Sequence, residues 1–447
     1  MMKVLFICRY FPPENKIGAV RPSRIARYLH KNNGVDVDVL TVEPLEGFDT
    51  NVQQDNYGTH IFRVKPPLLI LKLNHIFKRP NSNLASSEIN KKSTHSKTSK
   101  QKSIKRIIRN GLFHVREFVL EKSYIYRARR KLGHLNGKYD VLVSTYSTKF
   151  SHILAMTYKE QNPEVKWIAD YRDALWGADS TERQKKQGSK FVKKISKKCD
   201  AITIVSEGIK EIHSMDFGKV PVHVIPNGYD REDLIAVSSE KTKHKKTLQI
   251  VYTGELYNGK RDLTPLFRAI THLCSDNSIT SNDIEVIYAG KSGDVFVNQI
   301  RQYPEVHYQL KGFLPRNDAL FLQANADILL MASWCEPNEK SIMTGKFFEY
   351  LQMDKPIICL ISGSASGCEL SDIIQKHNLG CSHEMATDDE DFQMLCDYVK
   401  ECVSEKKGKG RISYQADKEF IIQYDYQNIA SKFYEIIRGL LYLDDSC

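Results

Sequence analysis

TGKFFEYLQMDKPIICL, residues Thr344–Leu360, joins a Gly-Lys turn, an aromatic helix and a β-branched apolar run. Phe347, Phe348, Tyr350 and Leu351 give the helix a buried side, and Lys355-Pro356 ends it. Ile357, Ile358, Cys359 and Leu360 then read as a strand buried on both faces. A helix feeding such a strand is the repeating unit of a parallel sheet, so the stretch predicts an α/β fold. Thr344, Gly345 and Lys346 sit where free backbone N–H groups, the positive end of a helix dipole and a lysine converge, a favourable place for phosphate. Glu349 lies about one turn further in, where a carboxylate could accept hydrogen bonds from a ribose diol. A solvated lysine and a solvated glutamate would give the same letters, and this stretch alone leaves both readings open.

Upstream, the same alternation occurs twice. Near the amino end, KVLFIC (Lys3–Cys8), the turn-rich RYFPPENKIG (Arg9–Gly18), a helix from Ala19 and the strand VDVDVLTV (Val35–Val42) form a βαβ unit. Its loop at Gly18 lies where open α/β sheets bind ligands, although the glycine spacing is not a GxGxxG fingerprint. Further strands are expected at Ile61–Val64, Tyr139–Thr145, Val165–Ala169, Lys198–Val205 and Val220–Asp230. DYRDALWG follows the third of these, and its Asp170, Arg172 and Asp173 are candidate acceptor or catalytic groups, with a structural ion pair as the alternative. The polar, lysine-rich SSEKTKHKKT (Ser238–Thr247) reads as a linker, after which the pattern restarts. Leu248–Thr253 is a strand, GELYNGKR (Gly254–Arg261) a basic glycine loop, and Asp262–Leu273 a helix. Strands at Ile284–Ala289 and Ala326–Met331 flank a helix at Arg316–Asn325, and Tyr426, Ile429, Phe433, Ile437 and Leu440 mark a last helix.

At 447 residues the chain is too long for one core. We expect an amino-terminal Rossmann-like acceptor domain over 1–235, a carboxyl-terminal donor domain over 245–425, and a terminal segment 426–447 that packs back on the first domain. The net charge of +11 points to an anionic partner. Between Ile89 and Arg116 stand nine Lys or Arg and no acid, so an unstructured basic insert is expected at about 80–110. Its flanks mix apolar and basic residues, which suits either an anionic membrane surface or a solvated helix pair around a loop. Nucleic acid is not expected, because the insert lacks interleaved stacking aromatics. Ten cysteines without CxxC spacing argue against a disulfide framework or zinc site and for a cytoplasmic location. The amino-terminal apolar run is too short for a signal peptide, and no run suffices for a membrane span, so a membrane role would be peripheral, at the inner face of the cell membrane.

Taken in order, FPPENKIGAVRPSRIARYL, DYRDALW, VIPNGYD, YTGELYNGKRD, KGFLPRNDAL, ADILLM and TGKFFEYLQMDKPI resemble the nucleotide-sugar glycosyltransferases of family 4. That resemblance implies the GT-B fold: two Rossmann-like domains with parallel sheets facing an interdomain cleft. It implies that the loop at Gly18 approaches the donor phosphates, that the Asn-Gly turn hinges the domains, and that Gly254, Lys260 or Arg261, and Lys346 hold the diphosphate. Glu349 would take the ribose and Phe313 would lie beside the base. Transfer would be retaining, onto a glycan or lipid-linked glycan in surface polysaccharide synthesis, with the nucleotide-sugar as substrate and no cofactor or metal. Two departures stand out. The family often has a glutamate eight residues before Glu349, where this chain has Ser341, with Glu339 and Glu336 the nearest acids; it also often has a histidine where DYRDALW offers carboxylates and an arginine. A catalytically silent glycan-binding or scaffold subunit and a nucleotide-sugar epimerase are the alternatives.

Overall fold

The computed structural model describes residues 2–14, 17–44, 59–68, 99–135, 137–176, 180–235, 246–337 and 343–442. Thirteen described strands form two wholly parallel sheets. The first runs β3-β2-β1-β4-β5-β6-β7, from β1 (Lys3–Cys8), β2 (Asp36–Val42), β3 (His60–Val64), β4 (Val141–Tyr146), β5 (Lys166–Tyr171), β6 (Ala201–Ile204) and β7 (Val222–Val224). The second runs β10-β9-β8-β11-β12-β13, from β8 (Leu248–Thr253), β9 (Ile284–Ala289), β10 (Tyr308–Gly312), β11 (Ile328–Trp334), β12 (Ile357–Ser362) and β13 (Gly380–Glu384). This is the expected α/β architecture.

Why the strands are apolar on both sides is visible in how successive residues part. Val4 and Phe6 enter one core and Leu5 and Ile7 the other; in the second sheet Ile328 and Leu330 oppose Leu329 and Met331 in the same way. With helices on both faces, the inner strands are buried at residues of either parity, whereas the edge strands β3, β7 and β10 stay partly exposed. The helix Tyr426–Tyr442 returns to the first sheet, where Ile429, Phe433 and Ile437 share a core with Val4, Phe6, Ile25 and Leu29. Its return passes beside the outgoing chain. The Tyr229 amide donates to the Tyr424 carbonyl at 2.9 Å and the Tyr426 amide to the Tyr229 carbonyl at 2.9 Å, so two crossings between the domains lie side by side.

Several elements differ from their sequence reading. β5 continues through Asp170 and Tyr171, because Asp170 finds buried partners inside the sheet. A helix spans Ser99–Gly133, so the carboxyl part of the expected basic insert is helical, while residues 81–98 and most of the linker lie outside the described residues. β13 and the helix Asp388–Lys409 had no clear sequence signal. The acidic run Asp388–Asp391 forms that helix's first turn, where carboxylates face the positive end of the dipole and the Asp391 carboxylate accepts from the Glu384 amide at 2.7 Å.

Candidate functional site

A cleft of about 910 Å³ opens between the domains, walled by residues that follow the carboxyl ends of β5, β6, β7, β10 and β11 and by the helix Gly345–Leu351. Open parallel sheets bind ligands at that end of their strands. Of the expected residues, Arg172, Asp173, Phe313, Gly345, Lys346 and Glu349 line this cleft.

Glu349 is its electrostatic centre. Its Oε1 accepts from Lys346 Nζ at 2.5 Å and Gln323 Nε2 at 2.6 Å, and its Oε2 from Arg316 Nη1 at 3.1 Å. Burial pushes the Glu349 carboxyl up, but the charges of Lys346 and Arg316 and these hydrogen bonds more than offset it and hold the group below the usual range. An ionised carboxylate has about four acceptor positions, so one remains for a ligand hydroxyl. Arg316 also reaches across the cleft, with Nη2 2.7 Å from Asp233 Oδ2, and Arg24 Nη2 holds the other Asp233 oxygen at 2.7 Å. Burial works against the Arg316 charge, yet Glu349 and Asp233 raise its pKa above the ordinary value. Arg316, Asp233, Gln323 and Arg24 were not singled out in the sequence; Arg316 and Arg24 stand inside quoted motifs, but nothing in the letters shows that they meet.

Lys346 extends toward the loop after β8. A Cβ built on Gly254 would lie 3.9 Å from Lys346 Cε. Gly254 has φ +141° and a Cβ on Gly290 would fall 2.0 Å from the Gly254 carbonyl oxygen, so two glycines let this loop pass against the next one. Lys260 and Arg261 lie beyond it and do not line the cleft. Arg261 is buried, donates from Nη1 to the Glu255 carbonyl at 3.0 Å and sits 4.5 Å from the Tyr257 ring centre; the Lys260 ammonium is 5.5 Å from the ring of Trp334. Phe313 is exposed beneath Lys291, whose ammonium is 4.8 Å from the ring centre. Thr344 precedes the helix without capping it, and its Oγ1 is buried with no partner among the described residues.

On the opposite wall, Arg172 Nη2 pairs with Asp173 Oδ2 at 2.7 Å, and a Cβ on Gly18 would lie 2.8 Å from both Arg172 Nη1 and Tyr10 Cδ2. Gly18 and Arg172 are therefore brought together. Asp170 is separated from them, with no exposed surface. It accepts from Arg21 Nη2 at 2.9 Å, Arg21 Nε at 3.1 Å and Thr203 Oγ1 at 2.8 Å. Arg21 in turn donates to the carbonyls of Ile225 at 2.9 Å and Pro226 at 2.8 Å, just before Asn227-Gly228. The pair thus fixes the turn at which the chain leaves the first domain. Ser341 and Glu339 lie outside the described residues, and Glu336 accepts from Ser364 Oγ at 2.6 Å.

No protein-family model matches the chain, and no curated protein does. Solved structures do. The N-terminal domain of a Candida albicans trehalose-6-phosphate phosphatase superposes with a TM-score of 0.61 at 12% identity, over 99% of this chain and 97% of that one. An Escherichia coli trehalose-6-phosphate structure bound with UDP-2-fluoro glucose gives 0.60 at 11% identity, over 98% and 99%. An α,α-trehalose-phosphate synthase (UDP-forming) from Burkholderia vietnamiensis gives 0.57 at 10% identity, over 98% and 100%. At such identities the likeness is one of architecture: this chain has the two-domain GT-B fold, with seven- and six-stranded parallel sheets on either side of the cleft that holds Glu349 and Arg172.

Proposed function

We propose that this chain is a retaining, metal-independent glycosyltransferase of the family 4 type, which moves a sugar from a nucleotide-sugar donor to a glycan or lipid-linked glycan acceptor in surface polysaccharide synthesis. One observation supports it most: Lys346, Arg316 and Arg172 face a cleft of about 910 Å³ that also contains the ionised, incompletely saturated carboxylate Glu349. The bond between the anomeric carbon and the diphosphate oxygen breaks as the acceptor oxygen bonds to the same carbon. Negative charge then grows on the nucleoside diphosphate, and fixed cations stabilise it without reorganising. Lys346, beside the Gly254 loop, suits that role. Glu349 keeps one acceptor position for a ribose hydroxyl, and Phe313 offers a ring face for the base.

The acceptor would enter along the wall with Arg172 and Asp173. In this reading the diphosphate oxygen takes the acceptor proton, and buried Asp170 positions Arg21 and the hinge turn instead of touching substrate. The protein would act in the cytoplasm at the inner face of the membrane. Phe118 and Tyr126, exposed by 62% and 66% on a helix that also carries Lys122 and Arg129, would rest on anionic lipid.

Thermal-shift screening against UDP, GDP, dTDP, CMP and their sugar conjugates tests the reading. A ligand at about 100 times its dissociation constant stabilises the fold by about 2.7 kcal/mol. Lys346→Ala should weaken the responding nucleotide by about 1–3 kcal/mol, the scale of a lost charged hydrogen bond. No shift with any nucleotide would defeat the proposal, and turnover of the donor without acceptor would favour an epimerase.

A further inference from the structure

The opposite end of the first sheet carries a second cavity. Helix Ser99–Gly133 runs back along the sheet and ends near the start of β4, ahead of which stand the turn residues His134, Leu135 and Gly137. A groove of about 520 Å³ opens there, at the amino end of the sheet and away from the cleft. Arg127, Arg130 and Lys131 reach it from the helix and Lys138 from the turn, with the rings of His134 and of Phe62 on β3 beside them. The Lys131 ammonium lies 5.6 Å from the Phe62 ring centre.

Two properties separate this group from ordinary solvated lysines and arginines. No acid lines the groove, and among the described residues none of the four cations forms an ion pair. Elsewhere exposed cations do find acids: Lys185 pairs with Glu182 at 2.9 Å, Lys198 with Glu160 at 2.8 Å and Lys210 with Glu207 at 3.2 Å. Asp140, two residues beyond Lys138, accepts from the Lys3 amide at 2.8 Å. The negative end of the helix dipole accounts for cations in its last turn, where Arg130 and Lys131 stand. It does not account for Lys138, which lies past the helix, or for the concave arrangement. Like charges gathered on a concave, low-dielectric wall focus positive potential outward, and they repel one another until an anion enters. Arginine forks match the oxygens of phosphate in pairs.

We propose that this groove is a phosphate-binding site, distinct from the interdomain cleft. The phosphate belongs either to a soluble compound or to a lipid headgroup, and two measurements on the full chain separate these sources. The first is calorimetric titration with inorganic pyrophosphate. The second is flotation with phosphatidylcholine vesicles, with and without phosphatidic acid. Both are run on the parent, on the Arg130→Gln/Lys138→Gln variant and on Lys346→Ala, which reports any binding in the cleft. Arg130 and Lys138 are exposed, so the double variant should melt with the parent. It should lose binding by about tenfold or more, the scale of losing charged contacts, while Lys346→Ala retains it. Loss confined to pyrophosphate identifies a soluble ligand, and loss confined to phosphatidic acid vesicles identifies a headgroup. The proposal is overturned if the double variant binds both probes like the parent, or if the parent binds neither.

Discussion

At the scale of single residues, carboxylates of similar sequence character carry different environments. Asp170 is wholly enclosed and neutralised by Arg21, whereas Asp173, three residues on, keeps 53% of its side chain exposed. Removing one member of a buried pair leaves the other charged and unsolvated. Asp170→Ala should therefore cost about 3–5 kcal/mol in chemical denaturation, by stranding Arg21. A variant that unfolds like the parent yet loses activity would make Asp170 catalytic and not structural. Glu349 gives a pH signature. Burial raises its pKa, the cations lower it further, and the net shift is downward. A carboxyl depressed in the folded state adds stability that is present above its ordinary value of about 4.3 and is lost as pH falls through the folded-state value. Glu349→Gln should remove that component, so denaturation midpoints of parent and variant should converge as the solution is acidified from neutral pH toward about 3. Parallel midpoint curves for the two proteins would count against an ionised Glu349.

At the scale of elements, the loops after β8 and β9 depend on close backbone approach. The Tyr288 hydroxyl donates to the Gly254 carbonyl at 2.9 Å, and that same carbonyl oxygen is the atom a Gly290 side chain would strike. Overpacking of this kind costs about 1–3 kcal/mol. Gly290→Ala should lower stability by that amount, read from denaturant midpoints, and should weaken nucleotide binding because the Gly254 loop, which lies beside Lys346, must shift. Unchanged stability would mean that the loop yields freely. The helix Gly345–Leu351 was legible from its aromatic stripe and the following β-branched strand, because period and burial leave direct marks on residue choice. β13, with the sequence GCSHE, left none: its stability rests on pairing with β12 and on Glu384 accepting from the Gly367 and Cys368 amides at 2.8 and 2.9 Å.

At the scale of the molecule, the domains are joined by two adjacent chain crossings and by Arg316, which bridges Asp233 of the first and Glu349 of the second. Arg316 keeps 45% of its side chain exposed, so each of its ion pairs contributes about 0.2–1 kcal/mol, too little to hold the cleft shut alone. Arg316→Ala should leave global stability within about 2 kcal/mol of the parent. It should nonetheless widen the distribution of domain separations seen by solution X-ray scattering, since the link from Glu349 through Arg316 to Asp233 is gone. Superimposable scattering curves would show that the hinge alone sets the opening.

By itself the sequence determined the α/β class, the restart of the pattern after the lysine-rich linker, and the presence of Lys346 and Glu349 on one helix near a glycine loop. Those features follow from local rules: side-chain period, turn chemistry and residue spacing. Tertiary structure decided which distant residues meet. Arg316 and Asp233 are 83 positions apart, Arg21 and Asp170 are 149, and neither pairing leaves a trace in the residues between them. It also placed Asp170 inside the first sheet and away from the cleft surface, because β5 runs two residues further than its apolar letters indicate. Burial and ion pairing depend on what the rest of the chain brings alongside, and a linear reading contains that information only after the sheets have formed.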